Sequence, residues 1–514
     1  MRFILRFRLL LATLLFVGSF LLLYPLYQFI LDDDGIGYAT ITRRWAQGDF
    51  FNAINGYWSP LHSWIALPFH LAGADLLNSF RISNVLIGVS IIWVMHLLTA
   101  RIELKKSMKA LILLMAVPIL LYMSYYELAA DILFCLLFLL YVNVCAAGDV
   151  FGRSRKIVLC AFIGFLAYLS KAYAFPLFIG HFVCWQYWLS KRSLLPGRKK
   201  QLVKNIVTGL LVFFILSLPW IIALHHKYDM WTFGYAGRLN LSWQVMPLPA
   251  AHVDFFNAPH LPDSPTLWED PYYAQGRLYH SFSSMVTFGN QLKIILHNMI
   301  KLIATLNELS FLSIGLLMAM LLYVFKTRSG MLLLFLLSVI LLPVGYLFIH
   351  IEQRFLWPAI FILLLSGFHL LSFFFRTYRF HYIAKNICWI LFIASFLITP
   401  LNALQDMIGE GRTDYELAAH MRSDGRNLKL ASNPEYYSVM RKAAFISGNQ
   451  YYEIVQHQHS HEQLAYAAKE AGIEYFYFFY KDVSDLSNFQ QSPVFRAAVK
   501  QRHIPSHKLL ILKL

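Results

Sequence analysis

The sequence predicts a mainly α-helical, polytopic membrane bundle followed by a small α/β domain. Of its 514 residues, 58% are hydrophobic and only 14% are charged, whereas an average soluble domain is about 45–50% apolar and about 25% charged. The mean hydropathy of +0.53 and the aromatic content of 16% suit a chain with many membrane interfaces. This composition excludes an ordinary cytosolic enzyme, a disordered chain and a nucleic-acid-binding module.

Apolar runs predict about eleven crossings, because a spanning helix needs about 20 apolar residues. A single helix over 157–190 would be about 50 Å long, well beyond a hydrocarbon core of about 30 Å. That stretch is therefore divided into two crossings at Lys171. The predicted crossings are 9–31, 80–100, 109–125, 128–147, 157–170, 173–190, 205–224, 308–325, 330–349, 355–375 and 386–404.

Basic residues collect in alternate connections between these crossings, as the positive-inside rule expects of cytoplasmic segments. The positions of the basic residues matter more here than the net charge of +16, and they predict a cytoplasmic N-terminus and an extracytoplasmic C-terminus. The transmembrane domain then covers 1–404, with large outer loops at about 32–79 and 225–307. The cytoplasmic segments are Arg2–Arg8, Arg101–Lys109, Arg153–Lys156, Lys191–Lys204, Lys326–Arg328 and Arg376–Lys385.

The tail over 405–514 has no apolar run long enough to span a membrane and reads as an outer α/β domain. Its helix-like segments, Tyr415–Arg422 and Glu462–Ala471, alternate with strand-like Leu428–Ala431 and Glu474–Tyr480. All five cysteines of the chain lie inside the apolar runs, which argues against a disulfide framework and a cysteine metal site.

Three consecutive aspartates, Asp32, Asp33 and Asp34, follow the first crossing, and a helix is predicted from Ile36 to about Gln47. An aspartate at a helix N-terminus caps free N–H groups and suits the helix dipole, which explains one or two of the three. Asp34 and Tyr38 are four residues apart and would share a helix face. A carboxylate at the mouth of a membrane cavity can act as a general base, so capping and catalysis both stay open.

Glu127 and Asp131 stand at the outer start of the fourth predicted crossing, where their spacing of four would place them on one helix face. Acidic residues at the edge of spanning helices usually face a cavity or a charged partner. The alternative is a pair that reaches out to the membrane interface.

Two basic residues are predicted at the outer surface, against the positive-inside trend. Lys171 stands at the tip between two short crossings, and Arg354 lies in the segment His350–Pro358 beside Glu352. Lys171 could simply reach to the interface, and Arg354 could accompany an aromatic anchor. The planar fork of arginine also suits phosphate, since it can bind two oxygens at once.

The histidines leave a divalent metal open without indicating one. His457, His459 and His461 alternate, so a strand would place all three on one face, but a solvated polar stretch is the favoured interpretation. His62 is a further histidine in the first outer loop.

The run 33–61 resembles the first outer loop of the GT-C membrane glycosyltransferases, the superfamily of protein O-mannosyltransferases and the lipid A aminoarabinose transferase. That loop has an acidic residue, often paired, about four before a tyrosine, then a helix and a Pro-Leu element, as Asp34, Tyr38 and Pro60-Leu61 do here. The resemblance makes Asp34 the best match to the catalytic acid, with Asp33 the near alternative. The sequence departs at Ser59, where the aminoarabinose transferases have a lysine.

The same resemblance, which covers about 1–404, extends to the other outer charges. Leu169-Ser-Lys171-Ala is similar to the family's Thr-Lys-Gly-like element, whose lysine approaches the phosphate of the lipid-linked donor. Arg354-Phe-Leu-Trp-Pro358 is similar to the Arg-Tyr-Leu-x-Pro element of bacterial members. Lys171 and Arg354 are thus expected to bind the donor phosphate. The side chains expected to line the cavity are Tyr38, Glu127, Asp131 and Glu352.

The resemblance implies a glycosyltransferase for a hexose or pentose, working at the outer leaflet of a bacterial inner or plasma membrane. Its donor would be a sugar on a polyprenyl phosphate, and its acceptor a glycolipid, a cell-envelope glycan or a protein. No nucleic-acid partner and no certain cofactor are implied. The alternatives are a lipid or polysaccharide transporter, and a ligase or polymerase of lipid-linked glycans.

Overall fold

The computed structural model describes residues 2–147, 149–193, 196–246, 255–274, 278–455 and 460–514. The first part of the chain, up to Asp406, forms the predicted helical bundle. Its helices are α1 Arg2–Tyr27, α2 Asp33–Gln47, α3 Phe50–Ala53, α4 Leu61–Leu71, α5 Leu76–Ala100, α6 Lys106–Tyr126, α7 Asp131–Cys145, α8 Ser154–Ser170, α9 Ala174–Arg192, α10 Arg198–Tyr228, α11 Ala236–Val245, α12 Met285–Leu309, α13 Ser313–Thr327, α14 Gly330–Leu341, α15 Trp357–Thr377 and α16 Tyr382–Asp406.

The tail contains five helices and most of the strands among the described residues. The helices are α17 Arg412–Asp424, α18 Tyr437–Ser447, α19 His461–Ala471, α20 Val483–Gln490 and α21 Pro493–Ala497. The strands are β1 Phe256–Asn257, from the second outer loop, and β2 Lys429–Ser432, β3 Gln450–Tyr451, β4 Glu453–Ile454, β5 Tyr475–Phe479, β6 Lys500–Ile504 and β7 Leu509–Lys513.

Every predicted crossing coincides with a helix, which confirms a multi-pass membrane protein. Seven described helices are long and apolar enough to cross a membrane, and α12 with α13, bent by 96° at their junction, would make an eighth. The predicted crossings 128–147, 157–170 and 173–190 correspond to the shorter or less apolar helices α7, α8 and α9. The count of about eleven crossings and the orientation of the termini stay predictions.

The division of 157–190 into two helices is confirmed, since α8 ends at Ser170 and α9 begins at Ala174. At the far end of α9, Arg192 donates a hydrogen bond to the carbonyl oxygen of Arg328. This contact joins two of the predicted cytoplasmic segments. Lys171, at the near end of α9, lies with the charged residues of the outer loops.

The tail folds as the predicted α/β domain, around a five-stranded sheet of order β3-β2-β5-β7-β6. Strands β2, β3 and β5 are parallel, whereas β7 runs antiparallel to β5 and β6. Side chains of a strand alternate between the two faces of a sheet. Tyr477 and Ile511 accordingly pack on the side of α17 and α18, while Phe476 and Leu512 pack on the side of α19.

The tail and the second outer loop form one cap over the first outer loop. Strand β1 of the second loop pairs with β4 of the tail, and Tyr451 donates its backbone N–H to Pro265 at 2.8 Å. The tail also docks on the bundle, because Gly409 donates its backbone N–H to Leu26 at the end of α1 at 3.0 Å.

Candidate active site

The three consecutive aspartates point to three different parts of the molecule. Asp32 is the N-cap of α2 and accepts hydrogen bonds from the backbone N–H groups of Gly35 at 2.9 Å and Leu128 at 2.8 Å. A capping aspartate satisfies amides that the first turn of a helix leaves without partners. Asp32 thereby also ties the start of α2 to the connection between α6 and α7.

Asp33 turns toward the tail domain. Its two carboxylate oxygens accept hydrogen bonds from Ser438 Oγ at 3.0 Å and from Arg441 Nη1 at 3.1 Å, both on α18. The side chain expected as the near alternative to Asp34 is therefore paired with a residue 408 positions away in the chain.

Asp34 faces the bundle and meets Arg354, which lies in the turn that leads into α15. Arg354 Nη1 lies 2.7 Å from Asp34 Oδ2 and 2.6 Å from Glu127 Oε2, and its Nε lies 2.6 Å from Glu352 Oε2. One guanidinium thus joins three of the carboxylates that the sequence singles out.

Lys171 and Asp131 form the second ion pair of this site. Lys171 also lies over the ring of Phe355, with its Nζ 4.0 Å from the ring centroid, a geometry that favours a cation. Phe355 adjoins Arg354, so both cations converge on one place between α8, α15 and the outer loops. We call the set Asp34, Glu127, Asp131, Lys171, Glu352 and Arg354 the mouth cluster.

The prediction that Glu127 and Asp131 share a helix face is wrong. Asp131 is the first residue of α7, but Glu127 follows α6 in extended backbone, with φ −153° and ψ 160°. The amide of Asn84 holds this connection by donating to the carbonyl oxygens of Ser124 and Glu127, at 3.2 and 3.1 Å. Both acids reach the mouth cluster, but tertiary packing brings them there rather than helical periodicity.

Tyr38 lies on α2 one turn after Asp34, as predicted, and its ring packs against Trp58 and His62. Gly37 makes this possible, because a Cβ at its position would collide with the indole of Trp58. Trp58 in turn donates its Nε1–H to the carbonyl oxygen of Trp268 at 3.1 Å. Aromatic side chains of the first and second outer loops therefore pack together near Asp34.

Burial changes the acidity of the aspartates at the start of α2. Burial, and after it the neighbouring Asp34, raise the pKa of Asp32 to about 6. Burial also raises the pKa of Asp34, although the positive charge of Arg354 opposes the shift. A raised pKa brings a carboxylate nearer to the range in which it serves as a proton acceptor at neutral pH.

A second cluster of charges, the loop cluster, ties the first outer loop to the second. All three guanidinium nitrogens of Arg44 are used: Nε pairs with Glu269, Nη1 with Asp49 at 2.9 Å and Nη2 with Asp263 at 3.2 Å. The loop cluster comprises Arg44, Asp49, Asp263 and Glu269, together with Lys227 and Asp270, whose Nζ and Oδ2 are 2.8 Å apart.

Sequence reasoning missed the loop cluster and Arg441 as partners of the outer loops. Arg44 was visible only as part of a family-like run, and Arg441 lies in a tail where the resemblance has little to say. Their partners lie far apart in the chain, so no periodicity links them. Arg441 lies on α18, a segment for which no helix was predicted, so no local signal singled it out.

The described residues contain no group of three or more His, Cys, Asp or Glu side chains arranged to hold a metal ion. The carboxylates of the mouth cluster instead pair with Arg354 and Lys171. His461 begins α19, whereas His457 and His459 lie outside the described residues. His62 is fully buried among Tyr38 and Phe80.

The fold is shared with solved membrane glycosyltransferases of the GT-C class. ArnT from Cupriavidus metallidurans, the lipid A aminoarabinose transferase, solved with bound undecaprenyl phosphate, aligns over 97% of both chains at 12% identity and a TM-score of 0.57. The oligosaccharyltransferase of Archaeoglobus fulgidus in complex with zinc and sulfate aligns over 92% of this chain and 68% of its own, at 11% identity and a TM-score of 0.58.

A further structure of the archaeal enzyme, AglB with an inhibitory peptide and a dolichol-phosphate, aligns over 92% of this chain and 69% of its own, at 11% identity and a TM-score of 0.55. No family model and no curated protein matches the sequence. The expected GT-C architecture is thus confirmed at the level of the fold.

Proposed function

We propose that this protein is a membrane glycosyltransferase that moves a sugar from a polyprenyl-phosphate donor to an extracytoplasmic acceptor. The observation that carries the proposal is the mouth cluster, in which Asp34 shares Arg354 with Glu127 and Glu352, and Lys171 pairs with Asp131. A base beside two cations at the outer end of a helical bundle has the chemistry that transfer from a lipid phosphate requires. Its GT-C fold supports the same reaction class.

In this proposal Asp34 is the general base. It accepts the proton of an acceptor hydroxyl, whose oxygen attacks the anomeric carbon of the sugar. The bond from that carbon to the phosphate oxygen breaks, and polyprenyl phosphate leaves with the electron pair. Asp34 suits this role better than Asp33, because Asp33 is held by Ser438 and Arg441 of the tail.

Lys171 and Arg354 stabilise the charge that develops on the leaving phosphate. The donor phosphate would compete with Asp34 for Arg354, since Asp34 Oδ2 occupies Nη1 here. Donor binding would then release Asp34 from its ion pair and leave a stronger base. The side chains of all three retain some exposure, 20% for Lys171, 17% for Arg354 and 21% for Asp34, so a ligand can reach them.

A single displacement predicts inversion at the anomeric carbon. The acceptor is a glycolipid, a cell-envelope glycan or a protein, and the transferred unit is a hexose or a pentose. The bacterial inner or plasma membrane, with the mouth cluster facing outward, is the proposed location. NMR of the product that reported retention would reject the single-displacement mechanism.

The test is a transfer assay in native membranes with a panel of radiolabelled polyprenyl-phosphate sugars. Asp34→Asn should reduce transfer by about 10²–10⁴-fold, which is the usual contribution of a general base, with folding intact. Asp49→Asn is the matched control, because Asp49 lies in the same outer loop but pairs with Arg44 in the loop cluster. Full activity in Asp34→Asn would reject its role as the base.

The rival class is a lipid or polysaccharide transporter. Absence of transfer from every donor, with folded protein and native acceptors present, would favour that class. A ligase or polymerase would transfer only oligosaccharide chains, so the size of the accepted donor distinguishes it.

A further inference from the structure

Arg441 is the point at which three outer parts of the chain meet. It lies on α18 of the tail and is 9% exposed. Its guanidinium bonds to Glu453 of β4, at 2.9 Å from Nε and 2.6 Å from Nη2, and to Asp33 of α2 through Nη1. It also lies 4.7 Å from the ring centre of Trp268 in the second outer loop.

The buried charge of Arg441 is already neutralised within the tail by Glu453, so its pairing with a second carboxylate, Asp33, is not needed for that purpose. Glu453, from the same domain, already takes two of the three guanidinium nitrogens of Arg441. The remaining nitrogen crosses to another domain and ends on the residue next to Asp34. Ser438, one turn earlier on α18, reaches the other oxygen of Asp33, so the tail holds both oxygens of this carboxylate.

Because Asp33 and Asp34 are adjacent on one helix, the contacts that hold Asp33 also fix the direction of the Asp34 side chain. Successive residues of an α-helix point about 100° apart around its axis. Asp32 is held by Leu128 of the bundle and Asp33 by α18 of the tail. With both neighbours held, the direction in which Asp34 leaves the first turn of α2 is set.

We propose that Arg441 is a positioning residue that aligns Asp34 for proton transfer through its ion pair with Asp33. The inference rests on the proposed function, in which Asp34 is the base. The tail domain is then part of the catalytic apparatus, although none of its residues belongs to the mouth cluster. Loss of the bridge lets the start of α2 rotate, and a displacement of about 1 Å at a catalytic group can cost about 10²-fold in rate.

The first test compares Arg441→Gln with Arg502→Gln, a control from the same domain whose guanidinium pairs only within the tail, with Asp424 at 2.6 Å. Arg441→Gln should lower kcat about 10- to 100-fold and leave KM for the polyprenyl-phosphate sugar unchanged, and Arg441→Lys should recover part of the loss. Arg502→Gln should keep the wild-type kcat. An unchanged kcat in folded Arg441→Gln, or an equal fall in both variants, overturns the proposal.

A double-mutant cycle separates positioning from a general loss of stability. Asp33→Asn and Arg441→Gln act through one bridge, so the double variant should lose no more kcat than the worse single variant. Multiplied losses would overturn the bridge. Ser438→Ala removes one hydrogen bond to Asp33 and supplies a milder variant if Arg441→Gln does not fold; it should lower kcat with KM unchanged, and a wild-type kcat there counts against the proposal.

Hydrogen exchange provides a readout that does not depend on transfer. The amides at the start of α2, over 35–40, should exchange faster in Arg441→Gln than in the wild type or in Arg502→Gln. Unchanged exchange there overturns the positioning role. If Arg441→Gln exchanges faster but the wild type transfers no sugar, the positioning role of the Arg441–Asp33 ion pair is supported and the proposed function is rejected.

Discussion

The mouth cluster and the loop cluster are built from the same residue types but differ in how completely their cations are enclosed. The side chains of Arg44 and Lys227 in the loop cluster are each 2% exposed. In the mouth cluster, Arg354 and Lys171 are 17% and 20% exposed. The cations of the loop cluster are enclosed between two loops, although Asp49 and Asp263 stay 34% and 55% exposed, whereas the cations of the mouth cluster remain accessible to a ligand.

One aspartate of each cluster, Asp49 and Asp34, has a pKa shifted in the opposite direction to the other. Burial disfavours the charge of Asp49, but hydrogen bonds from Asn52 and Arg44 outweigh this and lower its pKa. At the mouth, burial outweighs Arg354 and raises the pKa of Asp34. We therefore expect the enclosed cations of the loop cluster to stabilise the fold. We expect the mouth cluster, with its partly exposed cations and the raised pKa of Asp34, to take part in the reaction.

The largest expected difference is between substitutions of Arg44 in the loop cluster and Arg354 in the mouth cluster. Arg44→Gln leaves Glu269 buried without its partner, which should cost about 3–5 kcal/mol of unfolding free energy and leave kcat per folded molecule unchanged. Arg354→Gln should instead lower kcat by about 10²–10³-fold, the usual loss when one group that stabilises developing charge is removed. Thermal unfolding in detergent and transfer by the folded fraction measure the two effects.

The double variant Glu127→Gln/Arg354→Gln controls for the buried acid that Arg354→Gln would leave unpaired, since the side chain of Glu127 is only 1% exposed. It should restore stability without restoring kcat. A large loss of kcat in folded Arg44→Gln would contradict the division between the clusters.

A smaller contrast is expected between the two lysines. Lys171→Met should lower kcat by about 10- to 100-fold, because a hydrogen bond to a charged group contributes about 1.5–3 kcal/mol. Lys227→Met should mainly lower the unfolding temperature, because its Nζ also holds the carbonyl oxygens of Asn52 and Ile54. If both variants lose kcat and stability in the same proportion, the clusters do not differ in role.

The smallest contrast is in pH dependence. The raised pKa of Asp34 means that the base takes up its proton at a higher pH than a free aspartate, so transfer should fall on acidification before the pH reaches the ordinary range of aspartate. The lowered pKa of Asp49 preserves its contribution to stability until the pH drops below the ordinary range of aspartate.

Asp32, with a pKa of about 6, favours the folded state on acidification, because a group with a raised folded pKa contributes most below its unfolded value and loses that contribution as pH rises through 6. Measured from pH 8 to 5, transfer should therefore fall while the unfolding midpoint does not fall with it. A midpoint that falls together with transfer would contradict this assignment.

Several elements were predictable because their signals are local. Each crossing predicted from hydropathy coincides with a helix, and the length limit of a membrane crossing divided 157–190 at Lys171. The alternation of apolar segments in the tail predicted its α/β fold, including strands close to Lys429–Ser432 and Tyr475–Phe479. The same local reasoning failed at Glu127, where four-residue spacing suggested one helix across the non-helical connection between α6 and α7.

The sequence by itself determined the helical membrane bundle, the α/β fold of the tail and which charged residues stand at the ends of the predicted crossings. These follow from hydropathy, periodicity and spacing, which act over a few turns of chain. Only the tertiary structure decided which aspartate caps, which pairs with the tail and which faces the mouth. Their directions depend on Leu128, Arg441 and Arg354, and partners so distant in the chain are selected by packing, which no local pattern encodes.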